Sequence, residues 1–230
     1  MGATSFNEME FDAIGEIMNI SLGSSATAVS TLLGTKVNIT TPIVQVMTKE
    51  DFDFQDLEPA VGVEISYVKG LSGKSVMLFS RNDVRVIVSM MMGAEIPEEE
   101  FVMDEINASA IREAMNQMMG AVSTSLSTMF NKKIDISPPK VSLIDFGTED
   151  KVTEIVSGDE PVVKVSFRME VDGLIDSEIM QILPVPTAGD MVESLLHSGD
   201  TEEEPEPEAP SVPASTAATP APTPAPAAAP

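Results

Sequence analysis

Asp12, Glu16 and Asn19 stand four and three residues apart in the segment DAIGEIMN, and Ser109, Glu113 and Asn116 repeat that spacing in SAIREAMN. On a helix such positions share one stripe, so each segment sets a carboxylate beside an amide. A carboxylate can act as a general base or pair with a cation on a partner, and an amide can hold a water through its donor and its acceptor. Neither is a strong catalyst alone. Together they suit a reaction whose phosphoryl group, metal and charge stabilisation arrive with the substrate, and which lacks only a correctly placed water. The plain alternative is the solvated face of an amphipathic helix. That alternative gives no reason for Glu and Asn to match in two segments that differ at neighbouring places, as Gly15 does from Arg112.

The rest of the chain offers few other routes to chemistry. It has no cysteine and a single histidine, His197, which excludes a disulfide framework, a thiolate metal site and a cysteine nucleophile and leaves any zinc site almost all carboxylate. The small-residue run around Ser21, Ser24 and Ser25 lacks a histidine to activate a serine. GLSGKS at 70–75 ends like a phosphate-binding loop, but Val68 stands where that motif needs glycine, and the segment joins two strands instead of opening a helix. The methionines at 90–92 and 115–119 are expected in the core, and His197 at a surface or helix end.

A formal charge of −24 argues against nucleic acid or an anionic membrane as a general partner. No run of about 18 apolar residues and no basic leader followed by an apolar stretch is present, so neither membrane insertion nor export is indicated, and a cytoplasmic address is expected. From about residue 199 the chain turns into TEEEPEPEAPSVPASTAATPAPTPAPAAAP, which reads as a disordered, extended tail or linker over 199–230. A linker that leads nowhere suggests a fragment of a longer protein.

Two copies of one unit account for the body. Laying DAIGEIMNISLGSSATAVSTLLGTKVNITTPIV over SAIREAMNQMMGAVSTSLSTMFNKKIDISPPKV matches Glu16, Asn19, Gly23, Thr27, Ser30 and Pro42 with their own kind at Glu113, Asn116, Gly120, Thr124, Ser127 and Pro139. Each copy reads as a long helix, an extended segment, a β-hairpin and a shorter helix, with repeat one over about 8–93 and repeat two over about 104–197. Helices are expected from about Glu8 to Leu33, stopped by Gly34, over 84–92, stopped by Gly93, from about Asp104 to Phe130, and over 187–197. Strands are expected around Val37 to Ile43, with Pro42 marking an edge or a break, at 60–68 and 74–80, near 133–143, and at 161–171 and 175–183. The sum is an α/β or α+β fold with an approximate internal two-fold. Ile14, Ile17 and Met18, like Ile111, Ala114 and Met115, should face the core. Gly23 and Gly120 are expected where the long helices approach the sheet or each other closely.

Written over both copies, the pattern is [Asp/Ser]-x3-Glu-x2-Asn-x22-Pro, met by Asp12, Glu16, Asn19 and Pro42 and again by Ser109, Glu113, Asn116 and Pro139. This resembles the CheC, CheX and FliY phosphatases of bacterial chemotaxis, over nearly all of residues 8–198, and DAIGEIMNISLGSSATAVSTLLG, KKIDISPP and LIDSEIMQ look most like the FliY branch. The resemblance implies a CheC-like phosphatase domain over 1–198 acting on the aspartyl phosphate of the response regulator CheY. It implies that Asn19 and Asn116 orient the attacking water, that Glu16 and Glu113 dock on a regulator lysine, and that Asp12, Ser109, Pro42 and Pro139 support them. The protein would need no cofactor of its own, since Mg2+ belongs to CheY. Flagellar switch proteins (FliM, FliG) or the deamidase CheD are the further partners implied, with a place at the motor on the cytoplasmic face of the membrane. Proteins of the FliY branch usually also carry an N-terminal capture peptide and a FliN-like domain beyond an acidic linker; loss of the peptide is expected to weaken substrate binding without removing the chemistry, and loss of the domain puts motor incorporation in question. The competing reading is a non-catalytic switch or chemotaxis scaffold in which the two stripes are contact surfaces.

Overall fold

The computed structural model describes residues 6–40, 42–48, 51, 60–144 and 160–198. The acidic tail expected at 199–230 lies outside them. The first copy contributes helix α1 (Glu8–Leu33), strands β1 (Val37–Ile39), β2 (Ile43–Met47), β3 (Ala60–Lys69) and β4 (Lys74–Ser80), and helix α2 (Arg81–Met92). The second contributes α3 (Glu105–Met129), β5 (Asp135–Ile136), β6 (Lys140–Ile144), β7 (Val162–Val171), β8 (Ile175–Pro184) and α4 (Val185–His197). The doubled order of helix, broken strand, hairpin and helix is the one expected.

Local chemistry sets the helix ends. Asn7 and Glu10 cap α1 reciprocally: the Asn7 side chain accepts the Glu10 N–H at 3.0 Å, and the Glu10 carboxylate accepts the Asn7 N–H at 2.8 Å. Gly34, at φ +66°, stops it, and Gly93 stops α2 in the same way. The α2 helix begins at Arg81, three residues before the expected start, because the Ser80 hydroxyl accepts the Asp83 N–H at 3.1 Å. Similarly, α4 starts at Val185 because Pro186 suits a first turn. Poor helix formers in α1 are accommodated by back-bonding: the hydroxyls of Ser21, Ser24 and Ser30 donate to the carbonyls of Ile17, Ile20 and Ala26 at 2.6, 3.0 and 2.7 Å. Satisfied in this way, Ser21 and Ser25 can be buried.

The close approach expected at Gly23 and Gly120 is not made there. Both glycines are exposed, and a Cβ added at either would have nothing within 4 Å. The small residues on the buried side of α1, where it packs along α3, are Ser21, Ser25 and Ala26.

The strands form one antiparallel sheet in the order β1-β7-β8-β4-β3-β5, with β2 also on β7 and β6 also on β3. The copies thus exchange strands. The first copy's β1 and β2 hydrogen-bond to the second copy's hairpin, and the second copy's β5 and β6 to the first copy's. The two hairpins meet where β4 pairs with β8. Alternation sends Val61, Val63 and Ile65 of β3, Met77 and Phe79 of β4, and Val163, Val165 and Phe167 of β7 into a core shared with all four helices. The opposite parity places Ala60, Leu78, Val162, Met180 and Ile182 in a smaller cluster with Ile144. With helices gathered on one face of an antiparallel sheet, the fold is α+β, as expected.

One contact is duplicated in full. Ser30 Oγ accepts the Val37 N–H at 2.9 Å while donating to the Ala26 carbonyl, and Ser127 Oγ accepts the Ile134 N–H at 2.9 Å while donating to the Ser123 carbonyl at 2.7 Å. Each bond ties the chain leaving a long helix back onto that helix. Ser30→Ala and Ser127→Ala leave a backbone donor unpaired, and each is expected to lower stability by about 1–3 kcal/mol in urea unfolding.

Candidate active site

Each long helix presents the expected stripe. On α1, Asp12 and Glu16 are exposed and Asn19 is half-buried, while Ile14, Ile17 and Met18 are buried on the other side. On α3, Ser109, Glu113 and Asn116 are all exposed, over a buried row of Ile111, Ala114 and Met115. The buried rows, not the polar ones, hold the helices down, and both carboxylates stay exposed to a partner.

Pro42 and Pro139 sit where the strand of each copy breaks, between β1 and β2 and between β5 and β6. Pairing changes register there because proline offers no N–H to the ladder. Just before each break one bond is still made: the Thr40 N–H donates to the Arg168 carbonyl at 3.0 Å, and the Ser137 N–H to the Ser66 carbonyl at 2.9 Å. The strand after Pro42 then runs beside the turn of α1 that carries Asp12 and Glu16, since a Cβ added at Gly15 would lie 3.8 Å from Val44 Cγ2. The prolines therefore act on the frame around the helices.

The copies differ around the shared pair. Gln117 donates to Glu113 Oε1 at 2.9 Å. Ile20, at the matching place in the first copy, has no donor to offer Glu16 and is itself exposed. Arg112 pairs with Glu105 at 2.7 Å, whereas Gly15 and Glu8 stand at those places on α1. With Glu8, Asp12 and Glu16 in one row, α1 carries the more strongly acidic stripe, suited to a cationic partner. The Gln117 bond was missed from the sequence, though its signal was there: glutamine four residues after glutamate is within reach on a helix.

Other candidates resolve plainly. The GLSGKS segment is the tight turn of the β3–β4 hairpin, with Gly70 at φ +80° and Gly73 at φ +105°, and no helix follows it. A side chain at Gly73 would strike Thr187. His197 lies exposed in the last turn of α4, its Nδ1 2.8 Å from the Glu193 carbonyl oxygen. Met115, Met118 and Met119 are core residues, while Met92 is exposed at the end of α2. Among the described residues no helix is long and apolar enough to cross a membrane.

The profile of the CheC-like family matches residues 9–46 and 106–143, the two segments that carry the stripes and the strands after them. The crystal structure of FliY from Thermotoga maritima superposes with a TM-score of 0.75 at 37% identity, covering 84% of this chain and 98% of that one. The chain belongs to the CheC-like family. Within that family, the flagellar motor switch phosphatase FliY of Bacillus subtilis (strain 168) is 50% identical over 198 residues, 86% of this chain and 52% of that protein. The chain thus spans about half the length of that relative. The CheY-P phosphatase CheC of the same organism is 24% identical over 145 residues, 61% of this chain and 69% of that protein. The double match of the CheC-like profile is the internal repeat seen again by another route.

Asn116 is exposed, so Asn116→Ala removes no packing and exchanges a modest helix former for the best one; stability in urea is expected to stay within about 0.5 kcal/mol of the parent or rise slightly.

Proposed function

We propose that the chain hydrolyses the aspartyl phosphate of the response regulator CheY, with Glu16 and Asn19 forming one site and Glu113 and Asn116 a second. The observation that carries this reading is the carboxylate–amide pair held at one spacing on both long helices, exposed apart from the half-buried Asn19, with each helix anchored by its opposite face. The activities named for the CheC-like relatives, a motor switch phosphatase and a CheY-P phosphatase, support the same substrate class.

The mechanism asks little of the protein's own side chains. Asn19 or Asn116 holds a water through its amide and directs the water oxygen in line with the scissile bond. A phosphorus–oxygen bond forms to that water as the bond to the regulator's aspartate breaks, giving inorganic phosphate and a free carboxylate. Glu16 or Glu113 pairs with a cation on the regulator and fixes the docking. The regulator's own Mg2+ neutralises charge developing on the phosphoryl oxygens. Asp12 and Ser109 flank the contact, and Pro42 and Pro139 hold the strand breaks beside it. The name of the B. subtilis relative also supports a place at the flagellar motor; switch proteins such as FliM and FliG, or the deamidase CheD, are the neighbours we propose there.

Phosphate release from phosphorylated CheY under saturating magnesium tests the reading. Replacing both Asn19 and Asn116 by alanine is expected to lower kcat by about 10²–10³-fold, roughly 3 kcal/mol, with KM nearly unchanged. Replacing both Glu16 and Glu113 by glutamine should act mainly on KM. A wild-type chain that binds the phosphorylated regulator and does not speed its decay contradicts the phosphatase reading and leaves the scaffold reading in its place.

A further inference from the structure

Gly23 and Gly120 are an unexplained cost. Glycine inside a helix is less favourable than alanine, and it is normally kept for a positive φ or for close packing. Neither applies: both lie within helices, neither has a positive φ, and nothing stands within 4 Å of an added Cβ. Both occupy the same place, four residues after Asn19 and Asn116 and seven after Glu16 and Glu113, on the exposed stripe. The folded chain alone therefore gives no reason for either glycine.

The opposite end of each stripe is also matched. Met9 is 72% exposed and Ile106 64% exposed, and each stands seven residues before its glutamate. Such large apolar side chains in water gain nothing until a partner covers them. Each helix thus carries, in order along one face, an apolar side chain, a carboxylate, an amide and a bare stretch of backbone. From Glu16 to Gly23 this face advances about 10 Å along the axis, within the reach of one docked domain.

We infer that the docking footprint of the phosphorylated regulator extends past Asn19 and Asn116 onto Gly23 and Gly120, whose missing side chains let the regulator pack directly on the helix, while Met9 and Ile106 close the other end of the contact. The inference rests on the phosphatase reading and adds specificity-determining residues to it. The acidic stripe and the bare helix together select a partner that presents a cation beside its phosphoryl group and a protruding segment beyond it.

The test sets stability against recognition. Gly23→Ala and Gly120→Ala, combined in one variant, should raise the melting temperature, because alanine is the better helix former and meets no obstacle in the free chain. The same variant should raise KM for phosphorylated CheY on the order of tenfold, the size expected when a methyl group is forced into a packed contact, with kcat essentially unchanged. Met9→Ser with Ile106→Ser should also raise KM. A glycine variant that is more stable with an unchanged KM overturns the footprint, and one that is less stable shows that the glycines serve internal packing, which overturns it too. A wild-type chain without activity in the same assay removes the phosphatase reading and the footprint together, so the two failures are distinguishable.

Discussion

Everything in this structure depends on the exchange of strands between its two copies. The strands that follow α1 complete their hydrogen bonds on the hairpin that precedes α4, and the strands that follow α3 complete theirs on the hairpin that precedes α2. Buried backbone donors and acceptors must be paired, so neither copy can finish its sheet without the other. The shared core says the same thing in apolar terms, since residues from both hairpins and all four helices lie in one cluster. The duplication is therefore one interlocked body and not two beads on a string.

That interlock fixes the stripes. A helix held by a buried row on one side and by hydroxyl-to-strand bonds at its C-terminal end has little freedom to turn about its axis. The polar row opposite inherits that precision at no further cost, which is why a site built on helices can be more exact than one built on loops. The same frame explains what the prolines do. By ending the ladder at the strand breaks, Pro42 and Pro139 let each strand bend from β1 to β2, or from β5 to β6, and stay against the neighbouring copy's hairpin.

Much of this was legible in the residues, and the exceptions have physical causes. The long helices could be bounded because capping residues and Gly34 act within one turn. The hairpins could be read because alternation and the Gly70–Gly73 turn are local signals. Strand exchange was not legible, since alternation says which side a residue faces and nothing about which strand lies beside it. The glycines misled for a related reason: Gly23 and Gly120 fit close packing and open surface equally well in sequence, and only their surroundings separate the two. The candidate site was legible through repetition. Glu16 with Asn19 is an unremarkable pair until Glu113 with Asn116 repeats it, whereas the Gln117 bond, present in one copy alone, carried no such emphasis.

The central claim is that one interlocked fold holds two separate sites. Its most direct test is the decay rate of phosphorylated CheY measured in parallel with the wild-type chain, Asn19→Ala and Asn116→Ala at one protein concentration. The account predicts that each single variant keeps part of the acceleration and that the two parts add up to the wild-type value. If both single substitutions abolish the acceleration, the two stripes form one composite site, and if only one does, a single stripe is active; either result contradicts the claim of two sites.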